Sequence, residues 1–257
     1  MKKSLQTTNG IALVTTIIIS YLSNKGVFNG ETMGTISAKY ENLFTPAGYA
    51  FSIWGLIYLL LFGFIIYFGP ITRQTQEKEC VLKQIGWWFV ISCFANSLWV
   101  LIWLYDFTFC SVLFMILLLL SLLTIIEKTE EGRHRQSAAM TIFLRLPFQI
   151  YAGWVSVALI ANVAAYLKKI AWNGFGISET SWTIALFVFA LVIHLFMIWK
   201  RGMPAFALVA VWALLAIAVA NHIIDYTIYI AAIVSAVTIF INIIIFFVRK
   251  SKDPLIR

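Results

Sequence analysis

The chain has 257 residues, of which 61% are hydrophobic and 12% charged, with a net charge of +8 at pH 7 and a mean hydropathy of +0.90. Soluble domains carry about 25% charged and about 45–50% apolar residues. A globule of this size cannot hide so much apolar surface from water. The composition excludes a water-soluble enzyme or regulator and points to an integral membrane protein.

Windows of about 20 residues pick out eight spans in chain order: 8–22, 49–68, 85–104, 109–126, 141–167, 182–199, 204–220 and 227–248. Such long apolar runs show no period-2 alternation, which excludes strands, and the expected class is an all-α integral membrane protein. The first span has the shortest uninterrupted apolar part. Behind Lys2 and Lys3 it has the outline of a signal-peptide h-region. The "ISYLSNKG" that follows offers no small-x-small cleavage site, so a retained helix is expected.

With eight spans, both termini and the loops around Arg73, Arg133 and Lys200 share one side of the membrane. That side holds fourteen of the 19 Lys and Arg residues: Lys2, Lys3, Arg73, Lys78, Lys83, Lys128, Arg133, Arg135, Lys200, Arg201, Arg249, Lys250, Lys252 and Arg257. The other side holds Lys25, Lys39, Lys168 and Lys169, while Arg145 falls near the inner end of the fifth span and is expected to snorkel. The positive-inside asymmetry puts both termini in the cytoplasm; a bacterial plasma membrane is the expected location. The basic residues act as topology signals, and nucleic acid is excluded as a partner.

No metal or hydrolase motif stands out. Cys93 and Cys110 fall in spans, and Cys80 is expected in a cytoplasmic loop, kept reduced there. His134, His194 and His222 show no i,i+4 pairing. There is no P-loop, GxSxG or HExxH. His194, mid-span, is expected to act as helix–helix glue rather than in a proton relay. Asp106 and Asp225 fall in short outer turns, where solvated turn chemistry explains them.

Aromatics and amides form stripes. In the second span Trp54 and Tyr58 lie four residues apart; in the third, Ser92, Asn96, Trp99 and Trp103 follow i, i+4, i+7, i+11; in the fifth, Tyr151, Trp154, Ala158 and Asn162 share a face. An Asn in hydrocarbon needs a hydrogen-bond partner, so the stripes are expected to face the protein interior. For Asn96 and Asn162 helix–helix glue is the competing explanation. Trp87, Trp88, Trp172, Trp182 and Trp199 lie at span ends and read as interfacial anchors. Span direction puts most of the stripe residues in the outer half of the membrane. There a loop of about twenty residues, 23–45, emerges with Gly26, Gly30 and Gly34. The expectation is an aromatic-lined pocket under that loop.

At these residues the chain resembles the tryptophan-rich sensory protein/translocator protein (TspO/MBR) family. The family's second helix reads roughly P-x-W-x-F-G-P-x-W-x-x-x-Y; Pro46, Trp54 and Tyr58 fall in register, while Gly48 and Ser52 replace the inner Trp and Pro. Its third-helix N-x-x-W and following aromatics match Asn96, Trp99 and Trp103, without the prolines after the Trp. Its fifth-helix P-Y-x-x-W-(x)7-N matches Tyr151, Trp154 and Asn162, with Ile150 at the Pro position and Pro147 one turn upstream. The resemblance covers residues 1 to about 170. It implies a five-helix domain over 1–170, followed by a three-helix membrane extension over 171–257.

The resemblance also implies a function: a membrane receptor or sensor that binds a planar apolar small molecule, with a porphyrin or other tetrapyrrole as the expected ligand. No cofactor is required. The ligand-binding residues carried over are Trp54, Asn96, Trp99, Tyr151, Trp154 and Asn162, with Tyr58 and Trp103 on the same stripes; no catalytic residue or metal ligand is assigned. Catalysis is not expected, light-dependent porphyrin breakdown being the one chemistry the family suggests. The expected partners are the lipid bilayer and an apolar small molecule, and a homodimer is compatible with them. The "VAAYLKK" ending the fifth span fits a proposed sterol pattern through Val163, Tyr166 and Lys168, although an interfacial anchor explains it more simply. The alternative function is a multi-pass transporter or permease subunit, which internal repeats and intramembrane acids would favour. The spans show neither.

Overall fold

Inside a bilayer every backbone N–H and C=O must be satisfied within its own segment, which an α-helix does. In the computed structural model, which describes residues 2–130 and 137–252, the chain accordingly forms helices, with no strand among the described residues. In order these are α1 (Lys2–Ser23), α2 (Met33–Lys39), a 3-10 turn (Gly48–Ser52) leading into α3 (Ile53–Phe68), α4 (Gln76–Ile85), α5 (Trp88–Leu104), α6 (Thr108–Glu130), α7 (Ala138–Met140), α8 (Leu146–Lys169), α9 (Glu179–Trp199), α10 (Pro204–Asn221) and α11 (Tyr226–Lys252). A π-helical turn, Thr141–Arg145, joins α7 to α8, and a 3-10 turn, Gly174–Gly176, precedes α9. The basic residues Arg133, Arg135 and Arg257, and His134, lie outside the described residues.

Each expected span has its helix; among the described residues seven helices are long and apolar enough to cross a membrane, and the bent α4–α5 pair makes an eighth if it counts as one span. The protein is an all-α integral membrane protein. The third span differs from expectation. α5 has 17 residues, about 26 Å at 1.5 Å per residue, and is bent by 48° from α4. Gly86, at φ 54°, makes the break, and its N–H closes α4 on the Leu82 carbonyl. Thr75 caps the start of α4 by accepting from the Lys78 N–H. Cys80 therefore sits exposed on a short polar helix rather than in a loop.

The chain packs as two compact units, residues 1–39 with 53–155, and residues 40–52 with 156–257. The boundary falls inside α8. The expected division at 170 marks the end of that helix, whose last residue is Lys169.

In the first unit α5 packs on α1, α2 and α6, and α1 also meets α3 and α4. Thr16 of α1 donates to the Cys93 carbonyl (3.1 Å) and lies 3.1 Å from the Ser97 hydroxyl of α5. Gln6 donates to the Phe68 carbonyl at 2.8 Å. The apolar centre is Phe64, whose ring lies 5.1–5.2 Å from those of Phe68, Phe89 and Phe148. Arg145 does not snorkel alone: it pairs with Glu130 at 3.1 Å. Asp106 is likewise more than a solvated turn residue, since it binds Lys39 of α2 at 2.6 Å.

In the second unit α10 packs on α9, α11 and the Gly48–Ser52 turn. Its buried Ala207, Ala210, Ala213 and Ala216 let neighbouring backbones approach closely. The 40–52 segment is stitched to it. The Ala47 N–H donates to the Ala216 carbonyl (3.0 Å), Trp212 Nε1 to the Ala50 carbonyl (3.2 Å), and Asn221 Nδ2 to the Leu43 carbonyl (3.0 Å). Trp199 is more than an anchor, because its Nε1 donates to Asn242 Oδ1 at 3.0 Å and joins α9 to α11.

Candidate functional site

The α3, α5 and α8 stripes meet at Trp54. Its ring, half-buried, stacks on Tyr58 (centroids 5.6 Å, 26° between planes) and on Trp99 (5.8 Å, 30°). The rings of Tyr151 (5.8 Å, 75°) and Trp154 (6.4 Å, 86°) meet it edge-on. These offset-stacked and T-shaped arrangements are the ones the ring quadrupole favours. They form because α3 spaces Trp54 and Tyr58 by one turn, and α8 does the same approximately for Tyr151 and Trp154.

Asn96 supplies the polar centre. It is fully buried, and its Nδ2 donates to Tyr151 Oη at 2.8 Å and, more distantly, to Tyr58 Oη at 3.5 Å. Its Oδ1 has no hydrogen-bond partner among the described residues. One amide thus fixes two phenols from two other helices and keeps an acceptor in reserve, in a setting where an unmet polar group costs about 1–3 kcal/mol.

Six of the eight sequence-assigned residues are therefore in one cluster: Trp54, Tyr58, Asn96, Trp99, Tyr151 and Trp154. Trp103, two turns along α5 from Asn96, is buried and donates from Nε1 to the Met33 carbonyl of α2 at 3.4 Å, so it holds the loop rather than joining the ring cluster. Asn162 is buried but lies eight residues beyond Trp154, about 12 Å along the α8 axis, within the second unit. The 23–45 loop is more ordered than its glycines suggest. It contains α2, and Asn29 Nδ2 donates to the Leu104 carbonyl at 3.2 Å.

The model of the TSPO-like protein family matches residues 6–245. The chain belongs to that family. No curated protein and no solved structure matches it. Membership agrees with the stripe motifs, and it fits a membrane protein of the sensor or receptor type. The match runs on through α9 and α10 into α11, so the TSPO-like pattern takes in helices to which no five-helix motif was assigned.

The same helices hold a cavity that the stripes did not indicate. It has a volume of about 520 Å³ and lies between the C-terminal half of α8 and α9, inside the second unit. None of the eight assigned residues lines it. Trp172 and Trp182, read from sequence as interfacial anchors, form part of its wall. The signal that could have found it is the apolar face Leu159, Val163 and Leu167 running up to Lys168, which overlaps the sterol-like pattern at Val163 and Lys168. Deeper in the same unit His194 bridges helices as expected: Nδ1 lies 2.7 Å from the Ala190 carbonyl and Nε2 3.4 Å from Ser156 Oγ of α8.

Proposed function

We propose that this TSPO-like protein is a membrane receptor for a planar apolar small molecule, a porphyrin or other tetrapyrrole, bound at the Trp54 cluster with the 23–45 loop as its cover. The observation that carries the reading is the environment of Trp54: a half-buried ring meeting four aromatic rings beside a buried amide oxygen that lacks a donor. A flat macrocycle can take over the stack that Trp54 makes with Trp99, and its pyrrole N–H or polar edge can satisfy Asn96 Oδ1. The fourteen-to-four split of basic residues supports an orientation with both termini in the cytoplasm. No cofactor and no catalytic residue enter this reading.

Titration of the purified protein with protoporphyrin, followed by quenching of tryptophan fluorescence, tests it. Stacking contributes about 0.5–1.5 kcal/mol beyond burial, and burial of a large ring on the order of 1.5–3 kcal/mol. Trp99→Ala or Trp154→Ala should therefore weaken binding about tenfold or more, while Trp199→Phe should leave it unchanged. Variants that fold and bind like the parent would reduce the cluster to packing and move a transport function ahead.

A further inference from the structure

We propose that the crevice between α8 and α9 is a binding site for a zwitterionic phospholipid of the phosphatidylethanolamine type, with an acyl chain lying along the two helices and the headgroup against the Lys168–Glu179 pair. The crevice is independent of the Trp54 cluster, since its lining shares no residue with it. Its volume of about 520 Å³ is that of a small-molecule site, about 300–1,000 Å³. Its walls are apolar: Leu159, Val163 and Leu167 from α8, and Leu186 and Phe189 from α9.

The mouth is polar and carries one charge of each sign. Lys168 Nζ lies 3.1 Å from Glu179 Oε2, and the two side chains are 48% and 46% exposed. Glu179 is held in place because its Oε1 accepts from the Leu43 N–H at 3.1 Å. Trp182 is fixed too, with Nε1 donating to the Gly174 carbonyl at 2.9 Å and its ring 5.2 Å from that of Trp172. Two tryptophans beside a Lys at a helix end mark headgroup depth.

This pattern selects among amphiphiles. An anionic headgroup could bind Lys168 only by leaving Glu179 facing like charge. A neutral sterol would use neither charge. A phosphate beside an ammonium complements both: the phosphate accepts from Lys168 Nζ and the ammonium donates to Glu179. Preorganised partners reduce the entropy lost on binding, and both charges are already ordered here by the ion pair and the Leu43 contact.

The test is native mass spectrometry of the full chain, delipidated in detergent and then offered phosphatidylethanolamine, phosphatidylglycerol and cholesterol in equal amounts. The expected result is one retained phosphatidylethanolamine per chain that survives further detergent. Glu179→Gln, a surface change that keeps an acceptor for Leu43, should lower the preference for phosphatidylethanolamine over phosphatidylglycerol about threefold. Ala164→Phe, which adds a ring at the cavity wall, should abolish retention while protoporphyrin quenching at the Trp54 cluster persists. That quenching reports folding of the variant, and its failure in the parent would count against the receptor reading alone. Equal retention of the two phospholipids by the parent, retention of cholesterol in their place, or an unchanged preference in Glu179→Gln would overturn the proposal.

Discussion

The bond from Asn96 to Tyr151 offers a measurement of what the polar centre contributes. Tyr151→Phe deletes the acceptor at 2.8 Å and leaves Asn96 Nδ2 only the 3.5 Å contact with Tyr58. Hydrogen bonds between transmembrane helices average about 0.6 kcal/mol and reach about 1.7. Asn96 is fully buried and cannot turn to water, so the upper part of that range applies: about 1–1.5 kcal/mol of lost stability. Asn96→Leu removes an oxygen that already lacks a partner, but it also leaves the buried Tyr151 hydroxyl without its amide, so it should cost about as much as Tyr151→Phe. In the Asn96→Leu background, Tyr151→Phe should then cost close to nothing, giving a coupling of about 1 kcal/mol in a double-mutant cycle. Reversible unfolding of purified protein in mixed micelles, titrated with a denaturing detergent, reads all four corners. Equal costs of Tyr151→Phe in both backgrounds would refute the assignment, and the amide would have to be treated as a bystander among rings.

Three further outcomes follow from the geometry. Cys80 is exposed on α4; in a Cys110→Ser background of intact cells it should resist an impermeant thiol reagent and label after permeabilisation. Prompt labelling in intact cells would invert the orientation. Ligand should slow hydrogen exchange in 23–45 more than in the loop around Arg73, since Asn29 and the Met33 carbonyl already tie that segment to α5; uniform protection would deny it the role of a cover. The Asp225 carboxyl is held below the ordinary value, about 4, first by the Thr180 hydroxyl and then by the Ile228 and Thr227 N–H groups. Its folded pKa is below its unfolded one, so its contribution is full above about pH 4 and lost as pH falls through the folded value. Asp225→Asn should therefore flatten that acid limb in a stability profile, and an unaltered limb would show that the cap is inert.

Helix positions and the inward aromatic stripes were legible because a bilayer makes the coding simple. Apolar length writes the span, and an Asn inside it needs a partner from the protein, which turns the aromatics on its stripe inward. That logic reaches Trp54, Trp99 and Tyr151, whose partners sit on other spans at matching depth. It fails at α4, because hydropathy starts the third span at 85; one glycine with positive φ ends a polar helix that hydropathy alone cannot separate from a loop. It fails again at Trp199 and Arg145, since an interfacial anchor and a hydrogen-bonded partner have the same sequence signature until Asn242 and Glu130 are seen across the gap. The α8–α9 cavity was hidden for a related reason. A lipid-facing wall and a cavity wall are both built from Leu, Val and Phe, and only the packing of a second helix distinguishes them.

The weakness of the first span has a similar cause. Along α1 the buried positions are Gln6, Asn9, Leu13, Thr16, Ser20 and Ser23, spaced by three or four residues so that they form one stripe. Ile11, Val14, Ile18 and Tyr21 on the other side are exposed. This is a soluble amphipathic helix turned inside out: the apolar face is the one the bilayer requires, and the polar face is the one that packs. Gln6 and Thr16 use it to bond to α3 and α5. A hydropathy window adds both faces and so finds a faint span. A window that scored only the outward face would find an ordinary one. The polar residues that make α1 resemble a short signal segment are thus the same residues that fasten it into the first unit, and a weakly apolar span with its polar residues on one stripe is better read as a packed helix than as a marginal one.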